Sequence, residues 1–280
     1  MIKLLERLYS IINKAENPST RPVVAATPIE AIYEWLSGRE VYFMAPIQYC
    51  VAANGFGFGP DSWHPFVATA KNLLSAPQTS YETSVLEHYY DMYQPKCSAS
   101  AMFASSPPRS GVPSVAPYVL HPPWDVKPLL ERKSHVEFWA KAFQKESGLD
   151  PAKTHGIHFH GPVSSERGSI EIDRLRRVVR SFKDRGWDPE ISVATCVVIL
   201  RGEEIRFLVK AGNHRTAVAG ALGLSRIPLS FERPAIVRQD EAEHFTRVVD
   251  GTWSPEAARK YIDHLFDYDA RTWAQQRNLL

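Results

Sequence analysis

The sequence predicts an α+β fold, and three observations predict it. β-favouring runs at 191–200 and 205–209 are separated only by the polar turn Arg201-Gly202-Glu203-Glu204. The second run delivers the chain to Ala211-Gly212, a short apolar helix follows, and Ile227, Leu229 and Phe231 read as a strand returning to the same sheet. Long stretches before and after these residues carry apolar side chains at helical spacing instead.

Composition sets the class. Hydrophobic residues make up 44% of the 280 and charged residues 23%, an ordinary globular balance, with a formal net charge of +2. So small a surplus does not suggest a nucleic-acid binder. Cys50, Cys97 and Cys196 lie far apart with no Cys-x-x-Cys spacing, which argues for a reducing cytoplasm and against a disulfide framework or a cysteine zinc site. No apolar run approaches the roughly 18 residues of a membrane helix, and residues 1–15 carry too many charges for a signal peptide.

The elements are justified in order. Ile2, Leu4, Leu5, Leu8, Tyr9, Ile11 and Ile12 predict a short amphipathic helix. Thr27-Pro28-Ile29-Glu30 is a helix start, with Thr as cap and Pro at the first position, and that helix should end at Gly38. Residues 41–45 read as a strand. Asn54-Gly55-Phe56-Gly57-Phe58-Gly59-Pro60 lacks the Lys-Ser/Thr and the following helix of a phosphate loop, so it reads as a tight turn with both aromatics packed down. Helices follow at 65–75 and 81–93, the second with Tyr81, Leu86, Tyr89, Tyr90 and Tyr93 on one face. The proline-dense stretch 105–128 reads as an extended arm held to the body by Tyr118, Leu120 and Trp124, and Ser134 opens a further helix ending at Gly148. His158 and His160 alternate with Ile157 and Phe159 on an expected strand, on which a third metal ligand cannot be named.

The loop 161–168, containing Ser164, is dense in hydroxyls and charges and suits substrate contact. Ser169 reads as the cap of a helix with Ile172, Leu175, Val178, Val179 and Phe182 inward, ending at Gly186. Residues 254–256 open a last helix, and 267–280 read as a polar tail carrying Trp273. The expected organisation is a mainly helical N-terminal extension with the arm (1–130), a core (131–235) and a C-terminal helical extension (236–280).

The turn at 212–216 is the centre of this reading. Helix N-termini present unpaired N–H groups and partial positive charge, which suits phosphate, and Arg215 adds a planar fork of donors. Gly212-Asn213-His214-Arg215, followed by Ala217, Ala219, Leu222-Gly223 and Ile227-Pro228, resembles the phosphate-binding box of the ParB/sulfiredoxin superfamily. Residues 171–185 resemble its amphipathic helix and Gly186-Trp187-Asp188-Pro189 the loop after it, so the resemblance covers about 155–235. It implies a small mixed sheet with helices. It also implies a nucleotide site formed by Gly212, Asn213, His214, Arg215 and Thr216, with Ser164 beside it, and a helix start at Glu171 that faces this turn.

Among the superfamily's activities, sulfinic-acid reduction lacks its nucleophile here, because the turn carries Asn213 and no thiol. A DNA-partition CTPase would need a helix-turn-helix array and a charge surplus that the sequence lacks. What remains is phosphoryl transfer from ATP or another nucleotide, with Mg²⁺, to a small molecule, or binding of the nucleotide as a sensor or scaffold. Glu171 is the expected base or Mg²⁺ ligand, with His160 as a further catalytic candidate and Asp173 pointing elsewhere on the helix. The N-terminal region resembles the extension of ParB-like proteins encoded among surface-polysaccharide genes, which implies a sugar or glycan-precursor acceptor. The expected partners are the nucleotide and this acceptor, with no specific nucleic acid, no membrane span and a possible homodimer.

Overall fold

The computed structural model describes residues 22–104, 107–113, 115–134, 137, 138, 141, 159–189 and 193–280. The fold is α+β, built on one six-stranded mixed sheet. Its strands are β1 (Val23–Ala25), β2 (Val41–Pro46), β3 (Cys50–Val51), β4 (Ala194–Arg201), β5 (Glu204–Ala211) and β6 (Arg226–Arg238), in the spatial order β1-β2-β6-β4-β5-β3. β4 and β5 form the expected hairpin, with Arg201 opposite Glu204, and β6 returns parallel to β4 on its other side. Residues 205–209 and 227–231 therefore share one sheet.

The sheet is larger than the expected span of 155–235. Residues 23–51, read as part of a helical extension, contribute three of its strands, because Val41, Phe43 and Ala45 alternate inward on β2. Phe43 stacks on Phe231 of β6 at 5.3 Å and meets Phe207 of β5 at 5.4 Å. β4 is buried on both faces: Cys196 and Val198 enter one apolar cluster, Val197 and Ile199 the other. That is why it reads as an unbroken apolar run and not as an alternating one.

Helices cover both faces. On the first lie α1 (Pro28–Leu36), α2 (Pro65–Ser75), α3 (Val85–Met92), α5 (Ser165–Arg185) and α6 (Asn213–Ala221), while the short α4 (Ser98–Met102) sends Met102 into the second cluster. On the second lie α7 (Thr246–Val249) and α8 (Pro255–Asp267) with the proline-dense arm. The arm packs as expected. Trp253 Nε1 donates to the His121 carbonyl at 3.0 Å and Arg247 Nε to the Asp125 carbonyl at 2.7 Å, while Trp124 stacks on Tyr261. Thr27 caps α1 through the Glu30 N–H, and the helices end at Gly38 and Gly186 as read from sequence, both glycines with positive φ.

Two boundaries differ from expectation. α5 begins at Ser165, five residues before the start expected from a cap at Ser169: Ser164 Oγ accepts from the Arg167 N–H at 3.3 Å, and Glu166 occupies the first turn. Gly168, which makes the segment read as a loop, lies within the helix, at a position where a Cβ would come within 2.2 Å of the Tyr81 ring. The expected tail 267–280 is also ordered into the body. Asp269 caps α9 (Ala270–Gln275), and Trp273 enters an aromatic cluster with Phe56 at 5.0 Å and Trp63 at 5.6 Å. The helix expected from Ser134 to Gly148 and the strand expected around His158 fall largely outside the described residues.

Candidate functional site

The site grows from the end of β5. Gly212 turns the chain with φ 85°, a left-handed conformation that other residues adopt at a cost, and a Cβ there would meet the Ala194 Cβ at 2.7 Å. α6 starts directly at Asn213 with no side-chain cap. Ala217, Val218 and Ala219 bury its inner face completely. Its far end closes at Gly223, where the Leu224 N–H reaches the Ala219 carbonyl at 3.0 Å, a Schellman arrangement. Both ends being fixed, the first turn is held against α5.

There the structure brings together Glu171 and the 212–216 turn. Glu171 has no exposed surface. Its Oε2 lies 2.7 Å from His214 Nε2, and its Oε1 lies 2.6 Å from Arg167 Nη2 and 3.2 Å from Arg174 Nη1. The helix start at Ser165 produces this: Arg167 and Arg174, four residues before and three after Glu171, fall on its face. As a carboxylate oxygen only accepts, Glu171 requires the proton of His214 to sit on Nε2. Tyr90 is buried beside them, and burial first, then the Glu171 charge, raises its hydroxyl pKa well above the usual value.

The first turn of α6 also holds two buried oxygens without a hydrogen-bond partner, Asn213 Oδ1 and Thr216 Oγ1. Asn213 is 6% exposed and Thr216 fully buried. Buried polar atoms are nearly always satisfied, so two orphans in one turn call for a further group or water. Arg215 is half-exposed beside them. Two guanidinium groups, Arg167 and Arg174, and the His214 Nε2–H thus converge on the Glu171 carboxylate.

Other expected site residues are placed elsewhere or differently. Ser164 is the cap of α5, its hydroxyl spent on the Arg167 N–H. His160 is fully buried, with Nδ1 2.9 Å from the Gly161 carbonyl. Its pKa is lowered by burial, against the opposing pull of the Gly161 and Pro117 carbonyls, and none of these contacts leads to the 212–216 turn. His158 lies outside the described residues. Asp173 is exposed and pairs with Arg176 along the outer face of α5.

Three contributors escaped the sequence reading. Arg167 falls in the expected loop 161–168, although its spacing of four from Glu171 is a usable signal. Arg174 lies three residues after Glu171 among many basic residues of the same helix, and nothing local singles it out. Phe66, whose ring stacks on His214 at 4.8 Å with an interplanar angle of 15°, comes from a segment almost 150 residues earlier and carried no signal.

Two cavities open elsewhere. One of about 620 Å³ lies between Phe103, Arg109, His264 and Tyr268, and one of about 450 Å³ between the 55–62 turn, Arg206 and α9. Neither is lined by Glu171 or by 212–216. For Mg²⁺ the donor chemistry at Glu171 does not fit, since both oxygens are engaged by arginine and histidine, and a cation there would face three positive or proton-donating neighbours.

Among the described residues, no helix is long and apolar enough to cross a membrane. Compared with known proteins, the chain matches no family model, no curated protein and no solved structure.

Proposed function

We propose that the start of α6 binds the phosphate groups of a nucleotide, ATP by the sequence reading, and that the site serves phosphoryl transfer to a small molecule. The observation that carries the reading is an uncapped helix start whose first turn holds two buried, unmatched oxygens, Asn213 Oδ1 and Thr216 Oγ1, with the guanidinium groups of Arg167 and Arg174 converging on Glu171 behind it. Phosphoryl transfer is mostly positioning and charge neutralisation, which donors of this kind supply. The first-turn N–H groups and Arg215 would take phosphate oxygens, and Thr216 Oγ1, buried and unmatched, has a hydroxyl proton to give. The resemblance of 212–228 to the ParB/sulfiredoxin phosphate box supports the same assignment. Any Mg²⁺ would arrive with the nucleotide, since Glu171 has no oxygen to spare for it.

In this reading Glu171 does not touch the substrate. It is a positioning residue that holds His214 from behind, as a buried carboxylate orients a histidine in other acid–base pairs. The same engagement supports a second reading, nucleotide binding without turnover, because Glu171 is not exposed to accept a proton from an acceptor hydroxyl. An acceptor of sugar type remains part of the proposal only through the resemblance of the N-terminal region.

A thermal-shift panel of ATP, ADP, CTP and GTP with Mg²⁺ tests the site. A nucleotide at 100 times its Kd stabilises by about 2.7 kcal/mol. Arg215→Ala is expected to weaken that nucleotide about ten- to hundred-fold, through the loss of one charge-assisted contact. Unchanged affinity in the variant would remove Arg215 from the site. ADP release with an acceptor supports transfer; stoichiometric binding without release supports the sensor; stabilisation by CTP alone points to the partition-type CTPases.

A further inference from the structure

The glycine-rich turn and the N-terminus of α2 are left without a role by the anion site, yet they reach it. Phe58, from the turn, stacks on His64 at 4.2 Å with an interplanar angle of 23°. His64 is the cap of α2, its Nδ1 accepting the Phe66 N–H at 3.1 Å. The His64 and Phe66 rings are 5.5 Å apart, and Phe66 in turn stacks on His214. Phe58, His64, Phe66 and His214 thus form one run of rings ending on the imidazole that Glu171 holds by Nε2. Phe58 is fully buried, Phe66 1% exposed and His64 3% exposed, so the run has a fixed wall behind it.

The turn is also bound to α6 directly. A Cβ on Gly220 would come within 2.5 Å of the Phe58 carbonyl oxygen, so the helix carrying His214 lies against the turn's own backbone. The same segment therefore sets where α6 sits and where the ring at its first turn can lie.

We propose that Phe66 and His64 are positioning residues for His214. Glu171 fixes which nitrogen carries the proton, and the Phe66 face fixes the plane of the ring. Two restraints at right angles to each other leave an imidazole one orientation, where the Glu171 hydrogen bond alone would leave rotation about that bond. His64 acts one step back. Its cap sets the first turn of α2 and with it the place of Phe66. This assigns the Asn54-Gly55-Phe56-Gly57-Phe58-Gly59-Pro60 motif to buttressing a ring stack and not to holding phosphate itself. Its N–H groups agree with that, since Gly55 N–H donates to the Ala52 carbonyl, Gly57 N–H to Ser62 Oγ and Phe58 N–H to the Cys50 carbonyl.

The consequence for binding rests on the anion-site reading, whereas the orientation of the ring does not. The experiment uses the full chain with imidazole nitrogens followed by long-range ¹H–¹⁵N NMR, and inorganic phosphate as the probe. In the wild type, His214 should show its proton on Nε2. Phe66→Leu should give a mixed or exchange-broadened His214 signal, and phosphate Kd should rise about tenfold. His64→Ala, which removes the cap and the ring between Phe58 and Phe66 but leaves Phe66 itself, should move His214 in the same direction to a smaller extent, and it serves if Phe66→Leu does not fold. Leu73→Ala, a cavity in the same helix away from His214, should lower stability and leave the His214 signal as in the wild type. A wild-type His214 spectrum in both Phe66→Leu and His64→Ala overturns the proposal, as does an equal change in Leu73→Ala. If wild type takes no phosphate while Phe66→Leu still alters His214, the positioning role stands and the anion-site reading fails.

Discussion

Glu171→Gln would take from Arg167 and Arg174 the carboxylate charge they share, at a position with no exposed surface. Breaking a buried ion pair by neutralising one partner commonly costs about 3–5 kcal/mol, because the remaining charges stay desolvated. The amide keeps the shape and still offers His214 an oxygen, so a loss of about 3 kcal/mol is expected. Asp173→Asn, two residues on, acts on an exposed pair with Arg176 and should cost less than about 1 kcal/mol. Urea denaturation of both variants compares them directly. Near-equal losses would mean that the Glu171 cluster is not the hub its geometry suggests. At this scale the sequence was half legible. The pattern around Gly212 and the choice of Glu171 over Asp173 as the inward residue came from helical geometry and the resemblance. The partners of Glu171 did not, because Arg167 reads as loop so long as Gly168 is taken for a break, and Phe66 meets His214 through tertiary packing alone.

At the scale of the element, α5 turns on two residues. Ser164 supplies the cap, and Gly168 lets the helix close on Tyr81, which is 4% exposed and has little room to move. Gly168→Ala would improve intrinsic helix propensity by about 1 kcal/mol and yet should destabilise, since overpacking a fixed ring costs about 1–3 kcal/mol or more. Ser164→Ala should cost about 1 kcal/mol, and Ser169→Ala, now mid-helix, close to nothing. Chemical-denaturation midpoints of the three variants decide where the helix begins; a cost at Ser169 equal to that at Ser164 would restore the later start. Helices whose signals are local are legible to within a residue or so: Thr27-Pro28 before α1, Pro65 at the start of α2, Gly186 after α5. Where a glycine serves a contact and not a turn, local reading fails. α9 was missed for a related reason, since six residues with one apolar face declare themselves only through Trp273 and what it packs on.

The whole molecule is tied end to end by His264. On α8, near the C-terminus, it contacts the Asn54 carbonyl at 2.9 Å and lies between the rings of Phe103 and Tyr268. Burial holds its pKa down to about 4 from 6.5, against the pull of the Asn54 carbonyl. Burial likewise lowers His121 in the arm, opposed by the Lys127 carbonyl and Asp125, and His160 before α5. The sign follows from which state binds the proton. Above pH 6.5 both folded and unfolded chains carry these rings neutral, and nothing is lost. As pH falls from 6.5 towards 4, the unfolded chain takes up protons that the folded chain refuses, so stability falls with pH in that window. His264 alone accounts for roughly 3 kcal/mol by pH 4. The carboxylate of Asp267, held below its usual 3.8 by hydrogen bonds from Arg201, adds its loss only at lower pH, which keeps the two windows apart. His264→Gln retains an N–H for the Asn54 carbonyl and has no proton to gain. It is expected to lower stability modestly at pH 7.5 and to flatten the decline between pH 6.5 and 4.5. Urea midpoints for wild type and variant across that range give the answer. Parallel lines would mean that His264 does not carry the acid sensitivity, and that the contact joining α8 to the glycine-rich turn is not what acid loosens first.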